Sequence, residues 1–79
     1  MSSAIQKNNK RELIKAIVHT YLKLKGEATA KELSVFINEN NLMYGSIQAG
    51  YISNILSRAT VNSTDKRFKT ENGVWSLNI

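Results

Sequence analysis

The chain has 79 residues, which corresponds to one small domain with a single hydrophobic core. It contains no cysteine, which excludes disulfides, thiolate metal sites and a cysteine nucleophile. Its 11 basic and 6 acidic residues give a net charge of +5, which favours a polyanionic partner. No long apolar run is present, so we expect neither a signal peptide nor a membrane span. These features together predict a cytoplasmic protein, nucleoid-associated if the source is prokaryotic.

Residues 1–8 are polar and without periodicity, so we expect a flexible basic arm ahead of a domain over residues 9–79. Asn9, with Glu12 three residues later, has the pattern of a helix N-cap with its reciprocal acid. Gly26 supplies a stop. Apolar residues at helical spacing between these signals predict a first helix over about 10–25. We expect them to form one wide buried stripe, which consists of Leu13, Ile14, Ile17, Val18, Tyr21, Leu22 and Leu24.

Thr29 and Glu32 form the pattern of a capping box, which predicts a second helix over about 30–40. Asn40 and Asn41 suit its C-terminal end, because asparagine tolerates the left-handed backbone conformation. Residues 27–29 could form a very short strand that leads into this helix.

Ser46 can cap a third helix over about 47–59. We expect the turn Leu42-Met43-Tyr44-Gly45 before it to pack inward, and a polar connection over residues 61–65 after it. The stripe that this third helix would bury consists of Tyr51, Ile52, Ile55, Leu56 and Ala59.

Asn72-Gly73 predicts a β-hairpin, because a type I′ turn needs two residues at positive φ. Pairing outward from this turn sets residue 71 opposite 74, 70 opposite 75, 69 opposite 76 and 68 opposite 77. The core face then carries Phe68, Thr70, Trp75 and Leu77, and the wet, basic face carries Arg67, Lys69, Val74 and Ser76. We expect the Phe68 and Trp75 rings to pack in the core instead of stacking on bases.

This order of elements predicts an α+β fold: a small winged helix-turn-helix with three helices followed by a C-terminal β-hairpin wing. The second and third helices would form the helix-turn-helix. The chain resembles the HARE-HTH winged-helix family over residues 10–77, and its layout is similar to the winged DNA-binding domain of the Rok type of xenogeneic silencer. The matching residues are Leu13, Ile17, Leu22, Gly26, Thr29, Glu32, Leu33, Ile37, Ile52, Leu56, Arg67, Phe68, Lys69, Gly73, Trp75 and Leu77.

The resemblance implies a non-enzymatic module that binds DNA or a protein of the transcription, replication or chromatin machinery. The residues themselves also argue against catalysis. The chain has a single histidine and scattered carboxylates without a catalytic pair, and it has no glycine-rich phosphate loop or metal-binding pattern. We therefore expect no enzyme activity, no metal and no cofactor.

Duplex DNA is the leading candidate partner, with a monomer or a weak dimer as its binding form. The outward face of the third helix is small and polar without a carboxylate, and Gly50 would allow close approach to a phosphate backbone. A plain solvated face is the alternative there. For the wing the alternative is protection of a strand edge, and for the start of the first helix it is a solubilising terminus. The candidate residues are Ser46, Gln48, Ala49, Ser53, Asn54, Ser57 and Arg58 of the third helix, Lys66, Arg67, Lys69 and Asn72 of the wing, and Lys10 and Arg11.

A competing hypothesis is an accessory subunit of a replication or transcription complex, possibly of a mobile element. Met43, Tyr44 and Val74 would then form an apolar docking set. Binding of single-stranded DNA is a third option, but the interleaved basic and aromatic surface typical of it is missing.

Overall fold

The computed structural model describes residues 3–43, 45–58 and 66–78, with the backbone alone for residues 3–8. The described residues form three helices and a three-stranded antiparallel sheet. The elements are α1 (Ser3–Lys25), β1 (Glu27–Thr29), α2 (Ala30–Glu39), α3 (Ala49–Ser57), β2 (Phe68–Glu71) and β3 (Val74–Leu77). The α+β class, the three helices and the very short strand expected over residues 27–29 are confirmed. Tyr44, Ala59 and the connection over 61–65 lie outside the described residues.

The hairpin of β2 and β3 has the predicted register, with Phe68 opposite Leu77 and Glu71 opposite Val74. Asn72 and Gly73 have φ angles of 54° and 78°, as a type I′ turn requires. The predicted core face of the hairpin is confirmed for Phe68 and Trp75, which are buried. It is wrong for Thr70, which is exposed near the turn and donates its hydroxyl to the Val74 carbonyl at 3.1 Å.

The hairpin is only part of the sheet, so the prediction of a sheet made of the hairpin alone is wrong in the number and order of strands. The sheet order is β1-β3-β2, because β1 pairs antiparallel with the second edge of β3 and sets Ala28 opposite Trp75. These segments are far apart in the sequence, so no local pattern reveals which strand occupies that edge. Ala28 and Trp75 are both buried, at 1% and 4% exposure.

The core lies between the helices and one face of the sheet, and α1 packs against α2, α3, β1 and β3. The predicted burial is wrong for Leu13 and Leu24, which are 48% and 77% exposed. A helix turns by about 100° per residue, so these two side chains point away from the stripe that faces the core. The buried residues are Ile14, Val18, Leu22, Ala28, Leu33, Ile37, Ile47, Ile52, Ile55, Leu56, Phe68 and Trp75.

The start of α1 differs from the prediction. The helix begins at Ser3, so residues 3–8 of the predicted arm are helical, and Asn9 lies inside the helix and does not cap it. Residues 3–9 contain no glycine or proline that would stop a helix, so it extends beyond the apolar stripe. At 23 residues, α1 is about 35 Å long.

The ends of α2 follow the predicted signals. The Thr29 hydroxyl accepts a hydrogen bond from the Glu32 backbone N–H at 3.1 Å, and the Glu32 carboxylate accepts one from the Thr29 N–H at 3.0 Å. At the other end Asn41 has a φ of 51°, and the Leu42 N–H donates to the Ile37 carbonyl at 3.1 Å. This is the Schellman arrangement that closes a helix with a left-handed residue.

The third helix is shorter than predicted. It begins at Ala49 after an extended Gln48, so the expected cap at Ser46 is wrong, and it ends at Ser57 within the described residues. Hydrogen bonds from α2 hold Ile47 ahead of the extended Gln48, as described below.

Gly73 and Gly50 form a matched pair for substitution, since an added Cβ would meet no atom within 4 Å at either position. Alanine is strained at the positive φ of Gly73, so we expect Gly73→Ala to lower the free energy of unfolding by about 1–2 kcal/mol. Gly50 lies in a helix, where alanine is favoured, so Gly50→Ala should raise it by up to ~1 kcal/mol. Urea unfolding followed by Trp75 fluorescence measures both changes. An unchanged stability in Gly73→Ala would contradict the turn geometry.

Candidate nucleic-acid interface

The position of α3 is set by a polar clamp from α2. The Asn38 side chain donates from Nδ2 to the Ile47 carbonyl at 3.0 Å and accepts from the Ile47 N–H at Oδ1 at 2.8 Å. The Ser34 hydroxyl donates to the same carbonyl. Ile47 itself is buried, so the chain two residues ahead of α3 is held by both the backbone and the side chain of Ile47. Sequence reasoning missed this clamp, whose one signal is the spacing of Ser34 and Asn38 on one face of α2.

The outward face of α3 is polar and carries no carboxylate, as predicted. Asn54 is exposed, and its backbone carbonyl accepts a hydrogen bond from the Ser57 hydroxyl at 2.9 Å. Ala49 and Ser53 are half-buried, so they are less accessible than the prediction assumed. The exposed candidates of this segment are Ser46, Gln48, Asn54, Ser57 and Arg58.

Two basic residues of α1 lie beside α3. The Lys10 ammonium is 5.4 Å from the centre of the Tyr51 ring, within the range of a cation–π contact. Arg11 is half-buried and lines a groove with Asn54 and Arg58. Lys10 and Arg11 are about two turns inside α1. The helix dipole, which destabilises cations in the first turn of a helix, therefore does not destabilise these two.

The hairpin of β2 and β3, the predicted wing, meets α1 at its base through an exposed ion pair. Arg67 Nη2 is 3.4 Å from Glu12 Oε1, and Lys15 Nζ is 3.5 Å from Glu12 Oε2. Glu12 therefore offsets part of the positive charge at the base of the wing. The predicted wing candidates Lys66, Arg67, Lys69 and Asn72 are all exposed.

Three consecutive residues of α1 thus lie between α3 and the base of the wing, the two segments that carry most of the predicted DNA-binding residues. Lys10 contacts α3, Arg11 lines the groove along it, and Glu12 pairs with the wing at Arg67. We call this arrangement of Lys10, Arg11, Glu12, Arg58 and Arg67 the basic junction. Lys69 and Asn72 lie farther along the hairpin, toward its turn.

The apolar and aromatic residues considered for binding are buried or half-buried wherever the structure describes them. Trp75 and Phe68 belong to the core, as predicted. Met43 is half-buried and packs against the core, whereas Val74 lies in β3 opposite Glu71. Tyr51, predicted to be buried, is half-buried and supports Lys10.

Comparison with protein-family models, curated proteins and solved structures gave no match to this chain. In the part of the chain that the structure describes, no helix is long and apolar enough to cross a membrane. Among the same residues, no group of three or more His, Cys, Asp or Glu side chains is arranged to hold a metal ion.

The clamp on Ile47 makes Asn38 important for stability. We expect Asn38→Ala to lower the free energy of unfolding by about 1–3 kcal/mol, because the part-buried Ile47 N–H loses its partner and the Ile47 carbonyl keeps only the Ser34 hydroxyl. Asn40→Ala is the control, since Asn40 donates only an exposed bond to the Phe36 carbonyl and its loss should cost ~0.5 kcal/mol or less. Urea unfolding of both variants measures the difference. Equal losses would contradict the role of the clamp.

Proposed function

We propose that the protein binds duplex DNA as a winged-helix regulator of transcription or a nucleoid-associated protein. In this proposal α3 lies against the duplex, and the hairpin of β2 and β3 is the wing. The observation that carries the proposal is the basic junction, in which consecutive residues of α1 lie beside α3, at Tyr51 and Arg58, and beside Arg67 at the base of the wing.

The distribution of charge supports a polyanionic partner at this surface. Three of the five described acidic side chains lie elsewhere, on β1 at Glu27 and on α2 at Glu32 and Glu39, whereas Glu71 lies on β2 next to the turn of the wing. Glu12 is the acid within the basic junction itself. A surface with several cations and few acids binds phosphates chiefly through electrostatics, independent of sequence.

The side chains on α3 suit direct contact with a nucleic acid. Small residues and Gly50 allow the helix to approach a phosphate backbone closely, and Arg58 can bind phosphate oxygens. The Asn54 amide can donate and accept hydrogen bonds, which is the chemistry that reads a base edge in the major groove. We therefore assign affinity to the cations and sequence preference to Asn54.

A titration of a labelled duplex of mixed sequence tests the proposal by fluorescence anisotropy. With about four phosphate contacts, the affinity should fall roughly 100-fold between about 50 and about 200 mM salt. Arg58→Ala should weaken binding to every sequence and reduce the salt slope by about 1, whereas Asn54→Ala should alter the preference among sequences.

Lys31→Ala is the control for that experiment, because it removes the same charge from the exposed start of α2, remote from the basic junction. It should change the affinity less than Arg58→Ala does. Absence of binding at low salt would overturn the proposal. Tighter binding to the single strand than to the duplex would also overturn it.

The ion pairs of Glu12 with Arg67 and with Lys15 yield an independent test of the proposed DNA site. Glu12→Gln removes a negative charge from the basic junction, so we expect DNA affinity to rise several-fold at low salt, by about 1 kcal/mol or less. Glu39→Gln changes the net charge equally at the end of α2 and should have a smaller effect. An equal gain in both variants would show that net charge alone acts, without a local site.

A further inference from the structure

One face of α1 is apolar but is left uncovered by the rest of the described chain. Leu13, Ile17 and Leu24 recur along it with Thr20 among them, every three or four residues, to the side of the stripe that enters the core. Ile17 is half-buried, whereas Leu24 is 77% exposed at the C-terminal end of the helix. We call these four residues the outer stripe.

The outer stripe borders a groove that includes the end of α2. Ile17, Leu24, Phe36 and Leu42 line its main part. Beyond it, Leu13, Leu42 and Met43 line a smaller pocket. Because Leu42 belongs to both, the apolar surface is continuous along the length of the outer stripe. Contiguous exposed apolar surface of this kind marks interaction sites on soluble proteins.

We propose that a second copy of this chain covers the outer stripe, with the two α1 helices antiparallel about a two-fold axis. The axis would pass between Ile17 and Thr20, the midpoint of the stripe. Leu13 and Leu24 are equally distant from that midpoint, so Leu24 of each copy reaches the other copy's pocket beside Leu13 and Leu42. The surface is therefore self-complementary, as a two-fold interface requires.

Charge complementarity selects the antiparallel orientation. Glu12 and Lys23 lie on the same flank of the outer stripe, because residues on a helix are separated by about 100° each. The same flanks face each other in an antiparallel pair, so Glu12 of one copy approaches Lys23 of the other. A parallel pair would instead bring Lys23 and Lys25 of both copies together at one end, where like charges repel.

The extent of the stripe predicts a weak dimer. The contact between the two copies would extend over only about three turns of each α1. We therefore expect each copy to bury less than the roughly 800 Å² per partner of a standard stable interface. We expect a dissociation constant of about 10–100 µM. The inference does not depend on DNA binding, since none of the four residues of the outer stripe belongs to the basic junction and the test uses no nucleic acid.

Sedimentation equilibrium of the full chain, from about 5 µM to about 1 mM, tests the proposal. The average mass should rise from that of a monomer to that of a dimer across this range. Leu24→Glu should weaken association at least ~10-fold, because the introduced carboxylate would have to enter an apolar pocket. Val35→Glu is the matched control, since it places the same charge at an exposed apolar position of α2 and should leave association unchanged. Circular dichroism verifies that both variants are folded.

Disulfide trapping tests the orientation, because the chain contains no cysteine of its own. When the Leu13→Cys and Leu24→Cys variants are mixed and oxidised, the main product should be the disulfide between the two different variants. Preferential disulfides between identical variants would overturn the antiparallel arrangement. An average mass that stays monomeric over the whole concentration range would overturn the proposal, and the groove would then bind a different partner or none. A dimer unaffected by Leu24→Glu would also overturn it.

Discussion

The pairing of β1 with β3 is the constraint on which the rest of the structure depends. It joins Ala28 to Trp75 and so connects the helical part of the chain to the C-terminal hairpin. The side chains of directly paired residues lie on the same face of a sheet, so a small alanine leaves room for the indole of its partner. Both are buried beneath α1, which also packs against β3. A two-stranded hairpin alone would be marginal in water, and here both β1 and α1 pack against it.

The features that could be predicted from the sequence are those encoded within a few neighbouring residues. The turn at Asn72-Gly73 fixes the hairpin register because only certain residues adopt positive φ at low cost. The hydrogen bonds of Thr29 with Glu32 and the left-handed conformation of Asn41 follow from local chemistry in the same way. The start of α1 was the local feature most easily misjudged, since nothing before Asn9 stops a helix.

The features that could not be predicted are contacts between segments distant in the sequence. Lys10 beside Tyr51 and Asn38 on Ile47 depend on how the helices pack, which periodicity does not specify. Periodicity alone also made Leu24 a core residue, because it shows that a helix has an apolar side but not which part another element covers. Thus the candidate residues of α3 and the wing were identifiable from the sequence, whereas their connection through α1 was not.

The polar contacts of the basic junction are weak compared with the core beneath them. An exposed cation–π contact such as Lys10 with Tyr51 contributes ~0.5–1 kcal/mol. The Arg67 and Glu12 side chains are 40% and 55% exposed, and a surface ion pair of this kind contributes ~0–1 kcal/mol. Burying one large apolar side chain such as Ile14 or Leu56 contributes about 1.5–3 kcal/mol. The core therefore sets the positions of α3 and the sheet, and the cations above it can lose their present contacts at little cost to the fold.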